Sequence, residues 1–255
     1  MALPDSLEAV LIDLAGVLHI GDEAIPGAVA ALQRLRDSGL ALRFLTNTTR
    51  TPRGRIVESL QQMGFAIEAH EVLTAALATR ALVEARGLRP HYLIHPDIRI
   101  DMGLDAATPN AVVLGDAGPC FDFASLNHAF RLLMQGLPLI AMARNRYFKE
   151  SDGMSLDMGA FVSALEYSAG VKAEIVGKPA RSYFDAALQD IGIGADKAVM
   201  IGDDLLDDLG GAKNAGIAGI LVRTGKYRPS DETHPEFAPD LICADFAAAV
   251  EQLLA

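Results

Sequence analysis

The sequence is short of cysteine and of positive charge. Its 255 residues contain two cysteines, Cys120 and Cys243. They stand far apart and outside any metal-ligand spacing, which excludes a disulfide-stapled fold and reads as two reduced thiols in a cytoplasmic protein. Lysine and arginine number 22 against 33 aspartates and glutamates, a net charge of −11. This surplus argues against nucleic acid and against an anionic membrane as partners. It also means that an anionic substrate needs a local cation. No apolar run reaches the roughly 18 residues of a membrane span. The opening "MALPDSLEAVLIDL" lacks a basic segment followed by a long apolar one, so no signal peptide is expected. Internal repeats, low-complexity tracts and Pro/Gly/Ser-rich linkers are also missing.

The remainder is ordinary for a soluble globular protein, 51% apolar and 22% charged, and long enough for one large domain or two modest ones. "EAVLIDL" is a short apolar run, as expected of a strand covered on both faces. In "IPGAVAALQRLRDSG", Pro26 suits a first helical turn, Ala28, Leu32, Leu35 and Arg36 give helical spacing, and Gly39 suits the stop. "LALRFLTN" is a second strand and "TPRGRIVESLQQMG" a second helix. After residue 175 the rhythm returns: helix "SYFDAALQDIG", strand "KAVMIGDD", helix "LGGAKNAG", strand "IAGILV" and helix "ADFAAAVEQLLA". This β-α alternation predicts a doubly wound parallel sheet, a Rossmann-like core formed by residues 1–80 and 175–255. Residues 81–174 carry further strands ("HYLI", "AVVLG", "PLIAMA") and helices such as "FASLNHAFRLLMQG", and predict an inserted α/β cap domain.

Ligands of such sheets bind outside the carboxyl ends of the strands. The first strand ends at Asp13, the second at Thr46 and Asn47, and the strand "VMIG" at Asp203 and Asp204, with Asp207 and Asp208 one turn on. Lys178 precedes Pro179 in "VGKPA". Taken singly, these read equally well as caps and turns. Taken together at successive strand ends, they suit phosphoryl transfer. A carboxylate can act as nucleophile. A hard divalent cation, Mg2+, is needed to bring a phosphate dianion onto Asp13 and Asp203. Lys178, the Thr46 hydroxyl and nearby backbone N–H groups would bind phosphoryl oxygens.

The motifs "LIDLAGVL", "FLTNTT", "VGKP" and "MIGDDLLDDLGGA" resemble, in order, those of the haloacid dehalogenase superfamily, and the insertion resembles the large α/β cap of one of its phosphatase subgroups. The resemblance implies Asp13 as nucleophile and metal ligand, Thr46 and Asn47 as phosphate binders, and Lys178 as the motif lysine. It implies Asp203 and Asp208 around Mg2+, with the backbone carbonyl of Ala15 as a further ligand. It also implies a small phosphorylated substrate and a homodimer through the cap.

The departure is Ala15. Most members of the superfamily have Asp there, as general acid for the leaving group and general base for water. That assistance is typically worth about 10²- to 10⁴-fold, or roughly 3–5 kcal/mol of barrier. Its loss falls on poor leaving groups, so the expected activity is weak and biased to pyrophosphate, phosphoramidates and aryl phosphates. The alternative is an impaired protein that binds or senses a phosphorylated ligand. His19, on the turn after Asp13, is a candidate proton carrier. In the long polar stretch "ARNRYFKESDGMSLDMGAF", read as a loop, Arg144, Asn145 and Asp157 are candidates for substrate choice, and equally for a solvated loop.

Overall fold

A computed structural model describes residues 3–150, 153–235 and 237–255. The chain divides into two compact units, one made of Met1–Thr46, Arg53–Leu73 and Lys178–Ala255, the other of Asn47–Pro52 and Thr74–Gly177.

The first unit is built on a six-stranded sheet, in the order Leu241–Cys243, Ala218–Val222, Ala198–Gly202, Ala9–Asp13, Ala41–Thr46 and Val72–Thr74. The Ala9–Asp13 strand pairs in parallel on both sides, with Ile12 opposite Ile201 and Asp13 opposite Leu45. Every residue of the strands Ala9–Asp13, Ala198–Gly202 and Ala218–Val222 is buried, as it must be when helices cover both faces. One cover is the helix Ala28–Asp37. It starts after Gly27 in the left-handed region (φ 83°) and turns Ala28, Ala31, Leu32 and Leu35 inward. Arg34 and Arg36 in its last turn complement the helix dipole. Each fully buried leucine on that face contributes on the order of 1.5–3 kcal/mol. The C-terminal helix Phe246–Leu253, capped by Asp245, adds Phe246, Ala249 and Val250 to the same core.

The predicted helix "LGGAKNAG" is less regular. A wide π-type segment, Leu205–Gly210, precedes the α-helical turn Gly211–Asn214. Asp204 caps it, accepting from Leu206 N and Asp207 N at 3.1 and 3.0 Å. This widened turn carries Asp207 and Asp208, and such turns are frequent at functional sites.

The second unit has its own four-stranded sheet, in the order Glu174–Ile175, Leu139–Ala141, Ala111–Leu114 and Pro90–Leu93, with neighbouring strands parallel. Its core is separate and includes Val112, Val113, Ile140 and Val162. The stretch read as a long polar loop is not one. It contains an antiparallel pair, Tyr147–Glu150 with Gly153–Leu156, and then the start of the helix Met158–Ala169. Cys120 and Cys243 are both free thiols. No helix among the described residues is long and apolar enough to cross a membrane.

Candidate active site

Register brings the carboxyl ends of adjacent parallel strands to one edge of the first unit. Asp13 closes the strand Ala9–Asp13, Thr46 closes Ala41–Thr46, and Asp203 follows Gly202. Lys178, joined to Pro179 by a cis bond, reaches the same place from just before the helix Arg181–Ile191. Its Nζ donates to Asp13 Oδ1 and, at 2.6 Å, to Asp208 Oδ1. The second oxygen of Asp208 accepts from Asp204 N at 3.1 Å. Asp203 Oδ2 accepts from Lys226 N at 2.6 Å. All four side chains, Asp13, Lys178, Asp203 and Asp208, are buried.

Burial sets the electrostatics. It works against the charge of Lys178, but the carboxylates of Asp13 and Asp208 outweigh it and hold the ammonium well above its ordinary range. For the acids, burial and mutual repulsion act together. The Asp203 carboxyl is pushed up to about 7 by burial and by the charge of Asp13. Asp208 is raised by burial, and its neighbours Asp13, Asp203 and Asp204 add to the rise against Lys178. Asp207 is pushed up to about 6 by burial and by Asp204. The site thus gathers more negative charge than its lysine balances.

Among the described residues, Asp13, Asp203 and Asp208 form a group able to hold a metal ion: each offers an oxygen within 4.8 Å of the other two. Three hard carboxylate donors fit a hard divalent cation. The backbone adapts closely around them. A Cβ on Gly16 (φ 92°) or on Gly225 (φ 57°) would overlap Asp203 Oδ2, so both positions require glycine for space as well as for conformation. The carbonyl of Gly16 accepts from the Thr224 hydroxyl.

Ala15 itself is exposed, and its backbone bridges to His19. The His19 Nδ1–H donates to Gly21 O at 2.7 Å. Thr46 is fixed by a residue that sequence reasoning missed. The buried hydroxyl of Tyr183 accepts from Thr46 N at 3.3 Å and lies 3.0 Å from Thr46 O and 2.6 Å from Leu73 O. Lys226 was missed as well: its ammonium lies 3.1 Å from Asp204 Oδ2. It follows the strand Ala218–Val222, and asking what this strand ends with, as for the others, would have found it.

Asn47 opens the portion of chain assigned to the second unit, where its Nδ2 donates to Asn145 Oδ1 at 3.4 Å. Arg144 is tied by both guanidinium nitrogens to the buried Glu166, at 3.1 and 2.6 Å. Asp157 caps the helix Met158–Ala169 by accepting from Met158 N at 2.6 Å. Arg144 and Asp157 thus each have a partner within the second unit.

A parallel α/β core with a buried lysine and three acids at its strand ends defines a class of hydrolase, and comparison with known proteins gives it a family. A family model for haloacid dehalogenase-like hydrolases matches residues 10–102, and a second, for HAD-hydrolase-like chains, matches residues 175–249. The chain is 47% identical over 258 residues to the haloacid dehalogenase-like hydrolase domain-containing protein 2 of Bos taurus, covering 100% of this chain and 98% of that one. It is 44% identical over 262 residues to the phospholysine phosphohistidine inorganic pyrophosphate phosphatase of Xenopus laevis, covering 100% and 97%. The crystal structure of a 4-nitrophenylphosphatase from Thermotoga maritima superimposes with a TM-score of 0.90 at 27% identity, over 96% of this chain and 97% of that one. The chain belongs to the haloacid dehalogenase-like hydrolases, and its relatives include proteins named as phosphatases.

Proposed function

We propose that the protein is a Mg2+-dependent phosphohydrolase with Asp13 as nucleophile, acting on small phosphorylated substrates with good leaving groups. The observation that carries this reading is the buried Asp13–Lys178–Asp208 chain with Asp203 beside it. Asp13, Asp203 and Asp208 would hold the cation together with the carbonyl of Ala15. The bound cation supplies charge neutralisation for the approach of the phosphate dianion.

The chain's own residues do the rest. Lys178 engages one oxygen of Asp13 and orients the carboxylate, leaving the other oxygen for attack on phosphorus. The new bond joins Asp13 to phosphorus, while the bond to the leaving oxygen breaks and its electron pair departs with that oxygen. Thr46 and Asn47 bind the equatorial oxygens. Water then attacks the same phosphorus, the Asp13–phosphorus bond breaks, the carboxylate is regenerated, and the proton of the water goes to solvent with the released phosphate. Ala15 offers no side chain to deliver or accept a proton in either step, which favours leaving groups stable without one.

The absence of a carboxylate at position 15 also supports a second reading, in which the aspartyl phosphate forms but hydrolyses too slowly for turnover. Phosphate release from pyrophosphate, p-nitrophenyl phosphate and a sugar phosphate, with and without Mg2+, separates the two. The expected result is sustained, Mg2+-dependent release, fastest from the first two and lost in Asp13→Asn. Release that stops at one phosphate per chain selects the second reading. Release that survives in Asp13→Asn overturns the role of Asp13.

A further inference from the structure

The loop after the strand Ala218–Val222 is fastened to the acid cluster at three points. The Thr224 hydroxyl donates to the carbonyl of Gly16, and Lys226 N donates to Asp203 Oδ2 at 2.6 Å. Gly225 runs so close to the turn beyond Asp13 that a Cβ on it would come 2.6 Å from Gly16 Cα. The backbone thereby carries Lys226 to the edge of the site, next to the turn that bears Ala15.

The side chain of Lys226 is 58% exposed, with its ammonium 3.1 Å from Asp204 Oδ2. An ion pair this open to water is screened and contributes little, so exchanging Asp204 for a second anion costs little. The rim of an otherwise acidic site therefore carries a fixed positive charge beside Asp204, on the loop whose backbone meets the turn after Asp13.

We infer that Lys226 is a specificity-determining residue that contacts the departing group of phosphoanhydrides, substrates whose leaving group is itself an anionic phosphate. The inference rests on the phosphohydrolase reading above and names its substrate class. When Asp13 bonds to the terminal phosphorus, the bond from that phosphorus to the bridging oxygen breaks. The electron pair stays on the bridging oxygen, which leaves as part of a phosphate. Without an acid at position 15 that charge is not removed by a proton. The Lys226 ammonium neutralises it by a charge-assisted hydrogen bond and keeps its own proton. A neutral alcohol offers no anionic group for this contact in the bound substrate.

The test uses the full chain with Mg2+, comparing kcat/KM for pyrophosphate and for phenyl phosphate in the parent, Lys226→Met and Lys226→Arg. A charge-assisted hydrogen bond of ordinary strength predicts that the pyrophosphate-to-phenyl-phosphate ratio falls about 10- to 100-fold in Lys226→Met and is largely restored in Lys226→Arg. A ratio within threefold of the parent overturns the inference. So does a parallel fall on both substrates accompanied by weaker Mg2+ binding, which would assign Lys226 to positioning Asp203. If the parent turns over neither substrate, the phosphohydrolase reading fails, and calorimetric binding decides the inference separately. A tenfold loss of affinity for pyrophosphate relative to orthophosphate in Lys226→Met supports the contact, and an unchanged ratio removes it.

Discussion

Deleting one oxygen from Tyr183 tests how the phosphate side of the site is held. The ring is buried, and its hydroxyl donates to Leu73 O at 2.6 Å, lies 3.0 Å from Thr46 O, and accepts from Thr46 N at 3.3 Å. Burial drives its ionisation far above the neutral range, so it acts purely as a hydrogen-bonding group at any assay pH. Tyr183→Phe fills the same space and opens no large void. What it removes is the donor to Leu73 O and the acceptor for Thr46 N. Leaving such buried groups short of a partner costs about 1–3 kcal/mol. For a urea slope near 2 kcal/mol per molar, that lowers the unfolding midpoint by about 0.5–1.5 M. The same change is expected to loosen the end of the strand that carries Thr46, and, if Thr46 binds phosphate as proposed, to lower kcat by about 10- to 100-fold. Urea unfolding and steady-state release of p-nitrophenolate read the two effects separately. A destabilised variant with unchanged kcat would show that Tyr183 holds the sheet but does not position Thr46. An unchanged midpoint would refute the hydrogen-bond accounting itself.

Ala15→Asp restores a proton-transfer group at an exposed position and is expected to raise hydrolysis of an alkyl phosphate by about 10²-fold or more, with a smaller gain on p-nitrophenyl phosphate; equal gains on both would contradict the leaving-group argument. Glu71 has a pH signature. Burial would raise its carboxyl, but bonds from Arg36 at 2.7 and 2.6 Å and from Glu68 N at 2.8 Å hold it below the ordinary value. A folded-state pKa lowered in this way gives stability that is complete above the unfolded pKa and is lost as pH falls through the folded one. Glu71→Gln is thus expected to cost about 1–3 kcal/mol at pH 7 and progressively less as the medium is acidified below the ordinary carboxylate range. Urea midpoints that stay equally far apart across that range would contradict the sign.

Strand ends were the legible part of this chain. Apolar runs that stop on Asp13, Thr46 and Gly202 advertise a buried parallel sheet, and its topology places the residues that follow at one edge. The contacts that tune those residues were not legible, because they join distant segments. Tyr183 meets Thr46 across 137 residues, and Thr224 meets Gly16 across 208. The hairpin Tyr147–Glu150/Gly153–Leu156 escaped for a local reason. Its strands are four residues each, and in Gly153–Leu156 both Met154 and Leu156 are exposed, at 62% and 65%, so that strand writes no alternation of buried and exposed residues. That Arg144 pairs with a buried Glu166 was likewise not legible, because 22 residues separate them.

The turn after Asp13 treats its two residues very differently. Gly16 admits no side chain, because Asp203 occupies the space, whereas Ala15, one step earlier, is exposed. Substitutions at position 15 are therefore expected to disturb packing little and, under the proposed function, to act chiefly on the reaction. A lineage with this turn is free to gain or lose its proton donor by changing a single codon, without first acquiring any compensating change in the fold.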